Sequence, residues 1–385
     1  MKLKKIFNIF LILIFTVTAL VSCGSPEEAG GRLSEDRDIS PELEYESRMS
    51  LDYAEEFAVD NYSDGYALIS ISDGSRFLVV PEGKEAPENL DEDIVVLKQP
   101  VDHIYMVASA VMDMFRAIDA MDAIRLSGTD ADGWHIEEAR AAMEAGDILY
   151  AGKYSMPDYE RILSEGCRLA IENMMITHTP EVQEQLEGFG IPVLIDRSSY
   201  ESHPLGRMEW VKLYGVLMGR EAEAEAAFKA QTETLDEISH QENTGKTVAF
   251  FYLTANGAVN VRKSSDYVPK MIELAGGKYI FENLGDVESK SSSTNMQIEE
   301  FYAGAKDADY LIYNSTVDGE IGSMDELLSK SDLLKDFKAV KEGHVWCTTS
   351  NFYQESMSLG TFIMDVYKML TEGETADTAY MYLLK

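Results

Sequence analysis

The sequence lacks the short motifs that mark the common enzyme and metal-site classes. It contains no GxSxG, GxxxxGK[ST], HExxH or GxGxxG pattern. Only three cysteines occur among the 385 residues, without the spacing of a zinc or iron–sulfur site. The six histidines are scattered, with no pair at metal-ligand spacing. We therefore expect a protein that is not an enzyme and has no resident metal or cofactor.

Basic residues are also scarce. The chain has 33 Lys and Arg against 68 Asp and Glu, a formal net charge of −35. A surface this acidic opposes binding to nucleic acid, whose phosphates carry the same sign. Two of the cysteines, Cys167 and Cys347, lie in opposite halves of the chain beside apolar runs. We expect buried free thiols rather than a disulfide.

The one long apolar run lies at the N-terminus. Three lysines at positions 2, 4 and 5 precede the almost wholly apolar residues 6–21, and Cys23 follows two residues later. This layout resembles a bacterial lipoprotein signal, which implies a lipid on Cys23 after cleavage between residues 22 and 23. A single transmembrane anchor is the alternative. With residues 1–23 as signal and the polar residues 24–50 as a flexible tether, the protein is expected outside the cytoplasm, held to the membrane by lipid.

Beyond the tether, strand-like and helix-like segments alternate, which favours parallel sheets covered by helices. Two β-rich runs around Asp73-Gly74 predict a hairpin. Ligands of parallel α/β sheets bind beyond the carboxyl ends of the strands. The first half has four loops at such ends, at residues 127–134, 152–156, 172–179 and 197–203.

A helix is predicted over residues 220–241, which contain neither Gly nor Pro and are rich in Ala, Glu, Leu and Gln. About 22 helical residues span roughly 33 Å, the width of a small domain. We therefore predict two Rossmann-like α/β lobes, residues 51–203 and 245–385, separated by connecting helices over residues 204–244 that include the single long α-helix joining the lobes. The ligand cleft then lies between the lobes. An ordinary surface helix within one domain is the alternative.

The two halves also show a weak internal repeat. Residues 160–163 lead to the strand 169–173 in the first half, and residues 299–302 lead to the strand 310–314 in the second. Both strands end in Asn. Each unit continues through a helix and a Gly to another short strand. Two similar lobes facing one another would explain this, although α/β units are alike in general.

Taken in this order, these segments resemble an extracytoplasmic substrate-binding protein of an ABC importer, of the group that binds ferric siderophores, haem and cobalamin. The resemblance rests on the Cys23 signal, the run from Tyr53 to Phe57, the two helix–strand units and the linking helix. It covers nearly the whole chain after the tether. It implies a soluble, monomeric binding protein that passes a metal chelate to an ABC permease and its ATPase. A secreted lipid-anchored hydrolase and an adhesin or sensor are the alternatives.

The resemblance also implies site residues. In that group, one Glu on each lobe docks onto Arg residues of the permease. The matching positions here are Glu160 and Glu299, with Glu300 as an adjacent rival. The large chelates call for aromatic walls and a few polar anchors. The candidates on predicted loops are Trp134, Tyr154, Arg262, Lys263, Tyr267 and Tyr353.

Overall fold

A computed structural model describes residues 33–238, 240–285, 292–317 and 319–385. The predicted signal segment and Cys23 lie outside the described residues. Within those ranges, no helix is both long and apolar enough to cross a bilayer. The described chain forms two α/β lobes, as predicted, together with an N-terminal sheet.

The N-terminal sheet has strand order β1-β2-β3-β4-β5. All pairs are antiparallel except β4 with β5, which is parallel. The hairpin predicted at Asp73-Gly74 joins β3 to β4, and Gly74 has a φ of 96°, a conformation that side chains disfavour. The strands are β1 (Tyr45–Arg48), β2 (Phe57–Tyr62), β3 (Ala67–Ile71), β4 (Arg76–Val80) and β5 (Ile94–Lys98).

The predicted boundary of the tether at residue 50 needs correction. The strand β1 pairs with β2, so residues 45–48 belong to the sheet. Ile39 is 2% exposed and packs in a cluster with Tyr62 and Leu68. Apolar burial and strand pairing therefore order the chain well before residue 50. Residues 24–50 are mostly polar, and their contacts with this cluster are made by Ile39, Leu43 and Tyr45. The composition of the segment therefore did not indicate that part of it is ordered.

The first lobe contains a parallel sheet of order β12-β11-β6-β7-β8. Helices and turns cover both faces, so the residues of β6 are all buried, and four of the five in β11 are. Its elements are β6 (Ile104–Met106), α1 (Ser109–Ala117), β7 (Ile124–Ser127), α2 (Glu137–Ala145), β8 (Leu149–Tyr150), β9 (Gly152–Lys153), β10 (Met156–Pro157), α3 (Tyr159–Ser164), β11 (Leu169–Asn173), α4 (Pro180–Gly188) and β12 (Val193–Asp196).

Three helices, rather than one, connect the lobes. They are α5 (Pro204–Glu209), α6 (Val211–Met218) and α7 (Glu221–Asp236). Gly219, with a φ of 65°, ends α6 in the left-handed conformation that glycine adopts freely. The longest of the three, α7, has 16 residues and buries Ala224, Phe228 and Leu235 along one side. It spans about 24 Å, less than the sequence predicted, and it ends at Asp236 rather than Gln241.

The second lobe has sheet order β16-β14-β13-β17-β18-β19, and β15 pairs with β13. The central strands β13, β17 and β18 are parallel. Its elements are β13 (Thr247–Leu253), β14 (Val259–Arg262), α8 (Tyr267–Leu274), β15 (Lys278–Tyr279), β16 (Ser293–Met296), α9 (Ile298–Ala305), β17 (Tyr310–Tyr313), α10 (Met324–Lys330), α11 (Lys338–Glu342), β18 (Val345–Thr348), α12 (Leu359–Glu372) and β19 (Met381–Leu383).

Two buried carboxylates attach the start of β2 to the connecting helices. Glu209 accepts backbone N–H bonds from residues 52–54 at 2.9–3.0 Å. Glu201 accepts from residues 55 and 56 at 3.0–3.1 Å and from the indole N–H of Trp210 at 2.9 Å. Because both carboxylates are buried, each bond replaces water that the side chain has lost. We call this arrangement the carboxylate clip.

Candidate functional site

Loops that follow the parallel strands of the two lobes meet at the lobe junction, which we call the cleft. The loop after β7 and the loop after β18 are hydrogen-bonded to each other across it. Gln354 donates through Nε2 to the Gly133 carbonyl at 2.8 Å, and its Oε1 accepts from the backbone N–H of His135 at 2.7 Å. Ligands of parallel α/β sheets bind at such ends, so the cleft is the candidate site.

A compact polar group lies on the second-lobe side. The Arg262 guanidinium, at the end of β14, donates to the Tyr353 hydroxyl and lies 3.7 Å from the Asp266 carboxylate. Asn314, directly after β17, donates to the same hydroxyl at 3.0 Å. Tyr267 follows Asp266 at the start of α8. We call these five residues the Arg262 cluster. Three of the sequence-predicted ligand residues, Arg262, Tyr267 and Tyr353, therefore come together.

Burial and charge set the protonation of the Arg262 cluster. Burial by itself lowers the pKa of Arg262, but Tyr353 and Asp266 outweigh it and raise the pKa above its ordinary value. Burial raises the pKa of Asp266, against the opposing effect of Arg262. Burial also raises the pKa of the Tyr267 and Tyr353 phenols. Near neutral pH, Arg262 is thus a fixed cation and both phenols keep their protons.

Arg207 is the residue that the sequence did not single out. Its guanidinium lies 4.0 Å from the centroid of the Tyr267 ring, in a cation–π contact between α5 and the second lobe. Its charge also favours the ionised forms of Asp196 in the first lobe and Asp266 in the second. Within the described ranges, no carboxylate lies within 4 Å of it. Arg207 lies on a connecting helix, away from any predicted strand end, so no local sequence pattern marked it as a candidate site residue.

Of the other predicted ligand residues, Trp134 and Tyr154 belong to the first lobe, whereas Lys263 follows Arg262 directly and its carbonyl accepts the backbone N–H of Asp266 at 3.0 Å. Trp134 is 1% exposed, and its indole N–H donates to the Ser127 hydroxyl at 3.2 Å. Tyr154 is half-buried in the turn between β9 and β10 and packs in the first-lobe core. Lys263 is buried in the second lobe, where its backbone N–H donates to the Ser292 carbonyl. Burial therefore places Trp134 in the core rather than on an open wall of the cleft.

The predicted docking residues occupy equivalent positions in the two lobes. Glu160 is exposed in the first turn of α3, which leads into β11. Glu299 and Glu300 are exposed in the first turn of α9, which leads into β17. A helix that precedes a parallel strand runs antiparallel to it, so both helix starts lie at the level of the strand carboxyl ends. The acids also face the positive ends of their helix dipoles.

The internal repeat is present in three dimensions. In each lobe, a short helix leads to a parallel strand whose last or next residue is an Asn, namely Asn173 and Asn314. Each Asn Oδ1 accepts the backbone N–H two residues on, at 2.9 Å from Met175 and 3.3 Å from Thr316. These turns open the loops that face the cleft.

Cys167 and Cys347 are free, as predicted, with Cys347 buried and Cys167 half-buried. In the part of the chain that the structure describes, no three His, Cys, Asp or Glu side chains are grouped as they would be around a metal ion.

Comparison with known families decides the classification. The family model described as periplasmic binding protein matches residues 132–351, more than half of the chain. The chain belongs to the periplasmic binding protein family. As a periplasmic binding protein it has a solute-binding role, and the proteins with which it is grouped bind substrates rather than convert them.

Two relatives extend the likeness over nearly the full length. Both are named as uncharacterised lipoproteins of Methanocaldococcus jannaschii. One is 24% identical over 96% of this binding protein and 93% of the relative, and the other is 22% identical over the full length of both.

Solved structures share the fold at low identity. A periplasmic haem-binding protein of Vibrio cholerae has a TM-score of 0.56 at 16% identity, over 68% of this chain and 97% of its own. A catecholate-siderophore-binding protein of Vibrio cholerae has a TM-score of 0.55 at 14% identity, over 70% and 94%. A periplasmic binding protein of Veillonella parvula has a TM-score of 0.57 at 18% identity, over 77% and 98%. This binding protein therefore contains all of the shared fold and additional chain.

Proposed function

We propose that this protein captures a ferric siderophore, or a similar chelate such as haem or cobalamin, between its lobes and delivers it to an ABC permease. We further propose that a lipid on Cys23 holds it to the outer face of the cell membrane. Membership of the periplasmic binding protein family supports the capture of a solute. The named ligands of its structural neighbours, haem and siderophores, suggest the class of chelate.

The Arg262 cluster is the observation that carries the proposal. It joins a permanent cation to two phenols and an amide at the carboxyl ends of the strands. Guanidinium groups bind carboxylate and other anionic oxygens through several donors at once. Arg207 supplies a second guanidinium beside Tyr267. The Asp266 carboxylate lies beside Arg262 and Arg207 interacts with Asp196 and Asp266, so we propose that the two guanidinium groups offer donors to the anionic oxygens of a ferric chelate rather than an excess of positive charge.

Glu160 and Glu299 are the proposed contacts with the permease. Both are exposed at helix starts on the side of the strand carboxyl ends. Carboxylates at two matching points, one on each lobe, can be paired with two Arg residues so that the cleft is aligned over a pore. The proposed partners are the permease with its ATPase and the chelate, and nucleic acid is not among them. The binding protein is proposed to act as a monomer.

Thermal unfolding of the full-length protein tests the proposal. The protein is heated alone and with ferric siderophores of the hydroxamate and catecholate classes, haem, cobalamin, and free Zn²⁺ or Mn²⁺. A ligand at about 100 times its dissociation constant stabilises the fold by about 2.7 kcal/mol. One chelate class is expected to raise the melting temperature. A shift with free metal alone, or with no member of the set, would contradict the proposed cargo.

A further inference from the structure

One segment of the second lobe, residues 350–357, lies across the lobe junction. We call it the strap. It follows β18 and leads into α12. It makes hydrogen bonds to the first lobe at two places, one buried at its end and one partly exposed near its middle, and between them the Glu355 carboxylate lies 3.7 Å from the Arg116 guanidinium of α1. The two places differ in how easily water can replace their hydrogen bonds.

The inner contact is buried. The Ser356 hydroxyl donates to the Ala110 carbonyl at 2.6 Å, and the Met357 backbone N–H donates to the Asp113 carboxylate at 2.8 Å. Ser356 and Met357 are 5% exposed, and Asp113 is fully buried. Separating these groups would leave a carboxylate inside the protein without one of its donors, which is strongly unfavourable. The inner contact therefore stays closed while the fold is intact.

The outer contact is made by the side chains of Gln354 and Ser350. Gln354 bonds through both atoms of its amide to the backbone of the first-lobe loop after β7, at the Gly133 carbonyl and the His135 N–H. His135 is exposed, and its ring lies 3.3 Å from the Ser350 hydroxyl. All of these groups are neutral hydrogen-bonding groups or a solvated ring, so water can replace each partner at little cost. The outer contact is therefore able to open without unfolding.

The residue next to Gln354 belongs to the candidate site. Tyr353 is bonded to Arg262 and Asn314 in the second lobe. A displacement of the middle of the strap therefore changes both the hydrogen bonds to the first lobe and those inside the Arg262 cluster.

We propose that Gln354 is a latch that holds the cleft closed, with the inner contact at Ser356 and Met357 acting as the pivot. Opening breaks the two Gln354 bonds and leaves the Asp113 bond in place. Occupancy of the Arg262 cluster shifts this equilibrium because Tyr353 is adjacent to the latch. The role in holding solute rests on the proposed function, whereas the latch itself concerns the protein without ligand.

Hydrogen exchange of the full-length protein without ligand tests the latch. In the wild type, the His135 amide is protected by Gln354. In Gln354→Ala, its exchange is expected to accelerate about tenfold, equivalent to about 1.4 kcal/mol of lost protection. Amides of residues 109–114 and 356–358 are expected to keep their wild-type rates. Gln183→Ala, which removes a similar side chain bonded to Glu187 on α4, is the matched control.

A second variant separates the latch from a general loss of stability. Gln354→Glu keeps an oxygen that accepts from His135 but loses the donor to Gly133, so protection of His135 is expected to be partly retained. Unchanged exchange at His135 in Gln354→Ala would overturn the latch. Equal acceleration at residues 109–114 would overturn the pivot. Neither result depends on which solute binds, so a failed ligand test and a failed latch remain distinguishable.

Discussion

The helix–strand unit of the first lobe, α3 with β11, and that of the second lobe, α9 with β17, have the same topology but direct their polar groups differently. The first-lobe Asn173 donates to the Val107 carbonyl of its own lobe at 3.3 Å. The second-lobe Asn314 donates instead to Tyr353 in the Arg262 cluster. Equivalent elements thus supply packing in one lobe and candidate ligand contacts in the other.

The residue before each Asn shows the same contrast. In the first-lobe unit it is Glu172, which is fully buried. Neither carboxylate oxygen of Glu172 has a hydrogen-bond partner among the described residues. Burial raises its pKa to about 8. In the second-lobe unit the position is occupied by Tyr313, which packs against Phe251 and needs no charge. The first lobe therefore contains an acid that the fold keeps protonated.

The largest expected effect comes from removing both proposed docking residues. Glu160→Ala combined with Glu299→Ala is expected to abolish uptake of the bound chelate by cells while leaving its affinity unchanged. The physical reason is the loss of two charge-assisted contacts with the permease. Radiolabelled chelate uptake and equilibrium binding provide the two measurements.

Glu300→Ala is the matched control for docking, because it removes the neighbouring exposed acid in the same turn of α9. Normal uptake by the double variant would show that these units do not dock. Loss of uptake in Glu300→Ala instead of Glu299→Ala would assign docking to the other acid.

The next largest effect is expected for Glu172→Gln. The unfolded chain releases the proton of this residue above pH 4.5, whereas the folded protein retains it to about pH 8. The folded state then binds more protons, so stability falls as the pH rises between these values, by about 1.4 kcal/mol per pH unit. Glutamine removes this loss. The free energy of unfolding of Glu172→Gln, measured in urea, should exceed that of the wild type by an amount that grows from pH 5 to pH 8 and then levels off.

Tyr313→Phe provides the second-lobe counterpart of that experiment. It changes the equivalent position without altering an acid, so its effect on stability is expected to be the same at pH 5 and pH 8. Parallel stability curves for Glu172→Gln and the wild type would contradict the assignment of a buried proton to the first lobe.

A smaller effect is expected for Tyr353→Phe. The variant removes the hydroxyl that joins Arg262 to Asn314. Affinity for the chelate is expected to fall about tenfold, equivalent to about 1.4 kcal/mol, as measured by isothermal titration calorimetry. Tyr154→Phe in the first lobe is the control and should bind normally. Equal losses in both variants would place ligand contacts in both lobes.

The smallest effects distinguish the two Asn residues. Asn173→Ala and Asn314→Ala should each destabilise the fold by about 1 kcal/mol through loss of the turn hydrogen bonds. Only Asn314→Ala should also weaken ligand binding. Thermal unfolding measures the loss of stability, and calorimetry on the same preparations measures ligand affinity. Equal affinity in both variants would contradict the different roles assigned to the two Asn residues.

Local patterns were sufficient to predict the two α/β lobes and the repeat, but the single long helix predicted between the lobes is replaced by three shorter ones. Apolar runs in the sequence indicate which segments are buried. The run from Thr247 to Leu253, for example, forms a central strand, as its composition predicts. Arg262 and Tyr353 were both predicted as ligand residues on loops of the second lobe, so their proximity could be expected from the sequence.

Long-range partners were not predictable in the same way. The Trp134 indole N–H donates to the Ser127 hydroxyl, seven residues away, but the residue types alone do not identify that hydroxyl as its partner. The cation–π contact of Arg207 joins a connecting helix to α8, and the bond from Gln354 to His135 joins opposite lobes. Such contacts depend on the relative placement of the elements, which periodicity does not report. For the same reason, the sequence could not show that the Glu172 carboxylate has no hydrogen-bond partner among the residues that the structure describes.

The carboxylate clip has a consequence for how the protein can be divided. The family match begins at residue 132, but Glu209 and Glu201, inside that match, are bonded to residues 52–56 outside it. A fragment trimmed to the matched residues would therefore leave both buried carboxylates without these backbone donors. The region matched by the family model is thus smaller than the set of residues that these bonds join, and a recombinant fragment should retain residues 52–56 together with the N-terminal sheet.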